Sequence, residues 1–140
     1  MKSALLAGWC LVTHLAFSQI VEITPEGHEI TSVYFGGGSY FVDDAQKKWV
    51  QDWLGAKENL HEYEISIHSH TDNIGSLRYN QYLSMMRSES VVLILEEIMI
   101  SREDVRVIDF GEVNPLFDNA SWQGRLNNRR VDIILIPPSS

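Results

Sequence analysis

His68, His70, Asp72 and Arg87 are the residues whose types and spacing could do chemistry in this chain. They lie in or beside one stretch, His70-Thr71-Asp72-Asn73-Ile74-Gly75-Ser76-Leu77-Arg78-Tyr79-Asn80-Gln81-Tyr82-Leu83-Ser84-Met85-Met86-Arg87. The first chemistry on offer is electrostatic. An alternating segment, Tyr63 to His68, reads as a strand entering this stretch, and helical periodicity leaves it from about Ser76. Asp72, Asn73 and Ser76 can each cap that helix. At about 100° per residue, Ser76, Asn80, Leu83 and Arg87 share a narrow arc that Val91, Ile94 and Ile98 continue. An arginine and an asparagine on an otherwise apolar stripe need a partner or an exit to water. Asp72, at the mouth of the helix, is the nearest candidate. An acid and a base facing each other at a helix N-terminus can hold a zwitterion. The acid takes the ammonium, and the base with the free helix N–H groups takes the carboxylate.

The second chemistry is metal binding. His68-x-His70-x-Asp72 has the spacing of several metallohydrolase strands, and imidazoles two apart on an extended segment point the same way. A zinc-dependent hydrolase using His68, His70 and Asp72 is therefore the alternative reading. Against it, Asn73 stands where such a motif has a further histidine. Beyond residues 1–18 only His28 and His61 remain, and there is no cysteine after Cys10. No Gly-x-Ser-x-Gly elbow is present, and Glu96-Glu97 and Asp43-Asp44 read as solvated helix charges and a cap. The expectation is a noncatalytic protein without metal or cofactor.

The elements that must position these residues follow from the rest of the 140-residue chain. Its 44% hydrophobic and 21% charged content suits one globular domain with a core. The net charge of −8 argues against nucleic acid as a partner. Residues 1–18 read as a signal peptide: Lys2, an uncharged apolar run from Ala4 to Val12, and Ala16-Phe17-Ser18 before the cut. Residues 19–29 read as a loose leader, and residues 30–137 as the domain. A first strand over Glu29 to Phe35 is broken by Gly36-Gly37-Gly38. A helix from Asp43 or Asp44 to about Leu54 presents Trp49, Val50, Trp53 and Leu54. After the central helix come a strand over Val105 to Phe110, a loop, a short helical turn near Trp122 to Asn127, and a last strand over Val131 to Ile136. The order β-α-β-α-β-β predicts an α/β (α+β) two-layer sandwich, with two main helices on one face of a mixed sheet of about four strands. Arg125, Arg129 and Arg130 crowd the start of the last strand. Alternation puts Arg130 and Asp132 on one face, leaving Arg129 free to be drawn toward Asp72.

These residues also resemble a family. Ser69-His70-Thr71-Asp72-Asn73-Ile74-Gly75-Ser76, Tyr79-Asn80-x-x-Leu83-Ser84-x-x-Arg87, Phe110-Gly111-Glu112-x-x-Pro115 and Gly124-Arg125-x-x-Asn128-Arg129-Arg130-Val131 together resemble the OmpA-like C-terminal, peptidoglycan-binding domain. The resemblance spans about Val33 to Ile136. It implies a module that grips the diaminopimelate of the wall's peptide stem without catalysis and tethers or stabilises a Gram-negative envelope. By match, Asp72 and Arg87 hold the diamino acid. Thr71, Asn80, Leu83, Asn128 and Arg129 complete the ligand-binding set. The implied location is the periplasm and cell envelope, in association with the outer membrane, with envelope or outer-membrane proteins as further partners. A module that keeps the fold but binds a protein is a third reading. Ser69 departs from a glycine frequent at that place, and the Gly36–Gly38 run is richer in glycine than the pattern.

Overall fold

A computed structural model of the chain describes residues 19–139. The signal-peptide reading of residues 1–18 lies outside these described residues. The strands are β1 (Glu22–Ile23), β2 (Glu29–Tyr34), β3 (Glu64–His70), β4 (Val105–Gly111) and β5 (Arg130–Ile136). The helices are α1 (Asp44–Gly55), α2 (Leu77–Glu97) and α3 (Trp122–Asn128), with 3-10 turns at Leu60–Glu62 and Arg102–Asp104.

The sheet order is β1-β2-β5-β3-β4. β5 lies between β2 and β3 and is antiparallel to both, whereas β3 and β4 are parallel. The mixed α/β architecture is the expected one, with one strand more than expected. That strand comes from the segment read as a loose leader. Glu22 and Ile23 pair with Ile30 and Glu29 across a turn that includes Gly27, whose φ of +84° is a left-handed conformation suited to glycine. The Thr31 hydroxyl also donates to the Ile20 carbonyl at 2.9 Å.

Alternation sorts the two faces of the sheet. Val131, Ile133 and Leu135 of β5, Ile65 and Ile67 of β3, and Val33 of β2 enter one core with Val50 and Leu54 of α1 and Val91, Val92 and Leu95 of α2. Trp49 and Trp53 pack at its edge, in keeping with a core role for both tryptophans. Asp43 caps α1 by accepting from the Gln46 N–H at 2.9 Å. Of the three candidate caps of α2, Ser76 serves, accepting from the Tyr79 N–H at 3.1 Å. Of the arc read from the sequence, Asn80, Leu83, Arg87, Val91 and Ile94 are buried on the sheet side of α2, Ile98 is partly buried and Ser76 is exposed at the cap. Two serines set how closely α2 approaches. Ser69 and Ser84 each donate a hydroxyl to the other's carbonyl, at 2.7 and 3.1 Å, and Ser84 Oγ accepts from the Gly111 N–H at 3.0 Å. Gly111 closes this junction at φ +59°, where a Cβ would lie 3.1 Å from Gln81 Oε1. The beginning of α2 is thus fixed against the C-terminal ends of β3 and β4.

Candidate functional site

The candidate residues gather at that end of the sheet. β3 delivers Thr71 and Asp72, α2 delivers Asn80, Leu83 and Arg87, and the junction of α3 and β5 delivers Asn128 and Arg129. Thr71 is fixed by donating its N–H to the Gly111 carbonyl at 2.8 Å and its hydroxyl to the Asp72 carbonyl at 2.9 Å. The Asp72 carboxylate then has one oxygen accepting from the Ile74 N–H at 2.9 Å and the other accepting from Arg129 Nε at 2.6 Å. Both side chains of this ion pair are nearly buried, 9% and 7% exposed. Arg129 commits only its Nε to a hydrogen bond; its two terminal nitrogens have none among the described residues. Its guanidinium lies over the Trp122 ring, 5.3 Å from the centroid, and against Gly37, where a Cβ would touch it at 3.5 Å.

Arg87 behaves differently from the expectation. It was expected to face Asp72 as an ion-pair partner. Instead its Nε donates to the Ser39 carbonyl at 2.8 Å, Nη1 to the His70 carbonyl at 3.1 Å and Nη2 to the Gly36 carbonyl at 3.0 Å. Its guanidinium also lies 5.1 Å from the Phe35 ring centroid. The side chain is 1% exposed, so three carbonyls replace the water that a buried cation gives up. Burial pushes its pKa down to about 10, against the attraction of Asp72 and with the repulsion of Arg129. Arg87 therefore remains charged at neutral pH and shares one electrostatic cluster with both members of the ion pair. The glycine loop after β2 supplies two of the carbonyls, so the loop folds over the arginine. The carboxylate partner of Asp72 is Arg129, a residue drawn into the pocket as the alternation at Val131 allowed.

The remaining predicted residues divide by role. Asn80 is fully buried; its Nδ2 donates to the Glu112 carboxylate, and its Oδ1 has no partner among the described residues. Leu83 is buried but stands outside the main core cluster. Asn128 spends its amide within the chain, bonding the Phe117 N–H and carbonyl at 3.1 and 2.8 Å and Asn119 Oδ1 at 2.9 Å. Among the described residues these bonds spend both of its N–H groups and brace the loop before α3. Sequence reasoning missed Glu112 as the partner of Asn80 and Trp122 as the plane beneath Arg129. A tryptophan set among Asn119, Ser121 and Gln123 was the available signal for the latter.

The metal reading fails on geometry. His68 and His70 do share a sheet face, as their spacing requires, but Asp72 is bonded elsewhere. His70 Nε2 faces Asp132 at 3.6 Å and its ring stacks on Phe110 at 5.0 Å, while His68 Nε2 meets Ser66 Oγ at 3.0 Å. Asp132 in turn accepts from Arg130 Nε at 2.9 Å and the Ser32 hydroxyl at 2.7 Å. Burial, reinforced by Arg130, pushes the His70 pKa down to about 4. Among the described residues, no three His, Cys, Asp or Glu side chains gather as a metal site would require.

What this arrangement can do is present an acid, a half-free guanidinium and a buried cation to one small polar ligand. Comparison with known proteins gives it a context. The OmpA family model matches residues 34–129. The outer-membrane lipoprotein YfiB of Pseudomonas aeruginosa is 39% identical over 72 residues, 51% of this chain and 43% of the relative. The peptidoglycan-associated lipoprotein of Buchnera aphidicola is 27% identical over 118 residues, 84% of this chain and 66% of the relative. The chain thus spans between about two-fifths and two-thirds of these two relatives' own length. Among solved structures, the peptidoglycan-associated lipoprotein from Burkholderia pseudomallei superposes with a TM-score of 0.68 at 26% identity, covering 74% of this chain and 88% of the other. With the family model matching well over half of its length, the chain belongs to the OmpA family.

Proposed function

We propose that the protein binds peptidoglycan noncovalently, as a module of the bacterial cell envelope, by seating the diaminopimelate of the peptide stem at Asp72 and Arg129. The observation that carries this reading is the nearly buried Asp72–Arg129 pair, with Arg87 held beside it, in a chain whose relatives include peptidoglycan-associated lipoproteins. The ammonium of the diamino acid competes with Arg129 Nε for Asp72. Its carboxylate takes the terminal N–H groups that Arg129 leaves free. Arg87 adds positive potential and holds the Gly36–Ser39 loop as one wall of the seat. Thr71 and Leu83 line it, and Asn128 keeps α3 in place behind Arg129. No bond is broken in this cycle. The charges supply orientation and affinity, and each charge-assisted hydrogen bond contributes about 1.5–3 kcal/mol.

The test is co-sedimentation with purified sacculi. Wild type is expected in the pellet. Asp72→Asn and Arg129→Gln are expected to bind at least about tenfold more weakly. Equal sedimentation of all three would reject the assignment of the seat.

A further inference from the structure

Trp122 opens α3 with its side chain 61% exposed, amid polar neighbours. Its backbone is closely held. Ser121 Oγ accepts from the Gly124 N–H at 2.9 Å, and α3 packs so closely on the preceding loop that a Cβ on Gly124 would stand 1.8 Å from the Asp118 carbonyl oxygen. Asn128 fixes the same loop through Phe117 and Asn119. Arg129 lies over the indole at 5.3 Å, and this is the guanidinium paired with Asp72 at 2.6 Å. An aromatic plane, still largely open to water, therefore stands one side chain away from the charged seat.

We propose that Trp122 forms a saccharide subsite, on whose open face a pyranose ring of the wall glycan stacks. This rests on the reading that the seat takes the diamino acid of the stem. The occupant follows from chemistry and from the place of the indole beside the seat. A sugar ring offers an apolar C–H face to an indole and hydroxyl groups to its surroundings, and Gln123 and Asn127 of the same helix, bonded to each other at 3.1 Å, provide amides for them. The indole adjoins the seat because the guanidinium that bonds Asp72 at 2.6 Å also lies 5.3 Å from its centroid.

Calorimetric titration with two soluble fragments tests it: the stem tripeptide ending in diaminopimelate, and the same tripeptide on its disaccharide. Wild type is expected to bind the disaccharide form about fivefold more tightly. Trp122→Ala is expected to lose the preference and bind both forms alike, whatever its affinity for the bare tripeptide, and Trp122→Phe to recover part of the preference. Equal wild-type affinities for the two fragments would overturn the subsite. So would a Trp122→Ala variant weakened equally toward both and so keeping the preference, which would make Trp122 only a support for Arg129. Binding of neither fragment by wild type would instead overturn the seat itself, and the subsite with it.

Discussion

Asp72→Asn separates what the Asp72–Arg129 pair does for stability from what it does for binding. The substitution keeps the side-chain oxygen that accepts from the Ile74 N–H and removes only the charge facing Arg129. Arg129 is then left as an unpaired cation with 7% of its side chain exposed. Stranding one partner of a buried ion pair costs about 3–5 kcal/mol, and the slight access to water here brings the expected loss to about 2–3 kcal/mol. Urea denaturation reads this directly. Arg129→Gln on the Asp72→Asn background removes the stranded charge, and stability should return to within about 1 kcal/mol of wild type. Binding to sacculi should not return, because no ionic seat remains. A double variant that is as unstable as Asp72→Asn would refute the burial argument. One that binds like wild type would refute the assignment of the seat to these charges.

Arg87→Met keeps most of the side-chain bulk but removes all three hydrogen bonds to the carbonyls of Gly36, Ser39 and His70. It should cost about 2–4 kcal/mol and speed amide exchange across residues 36–41 before it affects the rest of the chain. Gly124→Ala should be more severe than an ordinary helix substitution, at least about 3 kcal/mol, because its Cβ would meet the Asp118 carbonyl; near-neutral thermal denaturation would contradict the packing of α3. His70 gives a pH signature. Its folded pKa lies near 4, below the usual 6.5, so the unfolded chain takes up a proton first as pH falls. The His70 contribution is present above about pH 6.5 and is lost as pH falls toward about 4, by at most roughly 3 kcal/mol. The stability difference between wild type and His70→Gln should shrink over that window, and a pH-independent difference would contradict the burial of the neutral ring.

Local patterns in the chain foretold much of this architecture because they are set by local physics. The alternation in β3 and β5, the caps at Asp43 and Ser76, and the arc of Asn80, Leu83, Arg87, Val91 and Ile94 all follow from the periods of strand and helix. The site was legible as a set of residues more than as a set of bonds. Asp72 finds Arg129 57 positions away, and Arg87 finds the carbonyls of a loop some 50 positions earlier. Neither bond has a periodic signature, and backbone carbonyls carry no sequence identity at all. β1 escaped notice for a related reason: two paired residues are too few to show alternation. The resemblance to the OmpA family supplied candidate residues that spacing could not, Asn128 among them. It did not reveal that Asn128 serves as a brace.

The central claim is that a wall-derived ammonium takes the place of Arg129 at Asp72. Proton–nitrogen NMR of arginine side chains tests it by following the Arg129 Nε–H signal as the diaminopimelate tripeptide is added. The account predicts a saturating shift of that signal, in step with binding, as the 2.6 Å bond to Asp72 gives way. A peptide that binds while the Arg129 signal stays in place would contradict it.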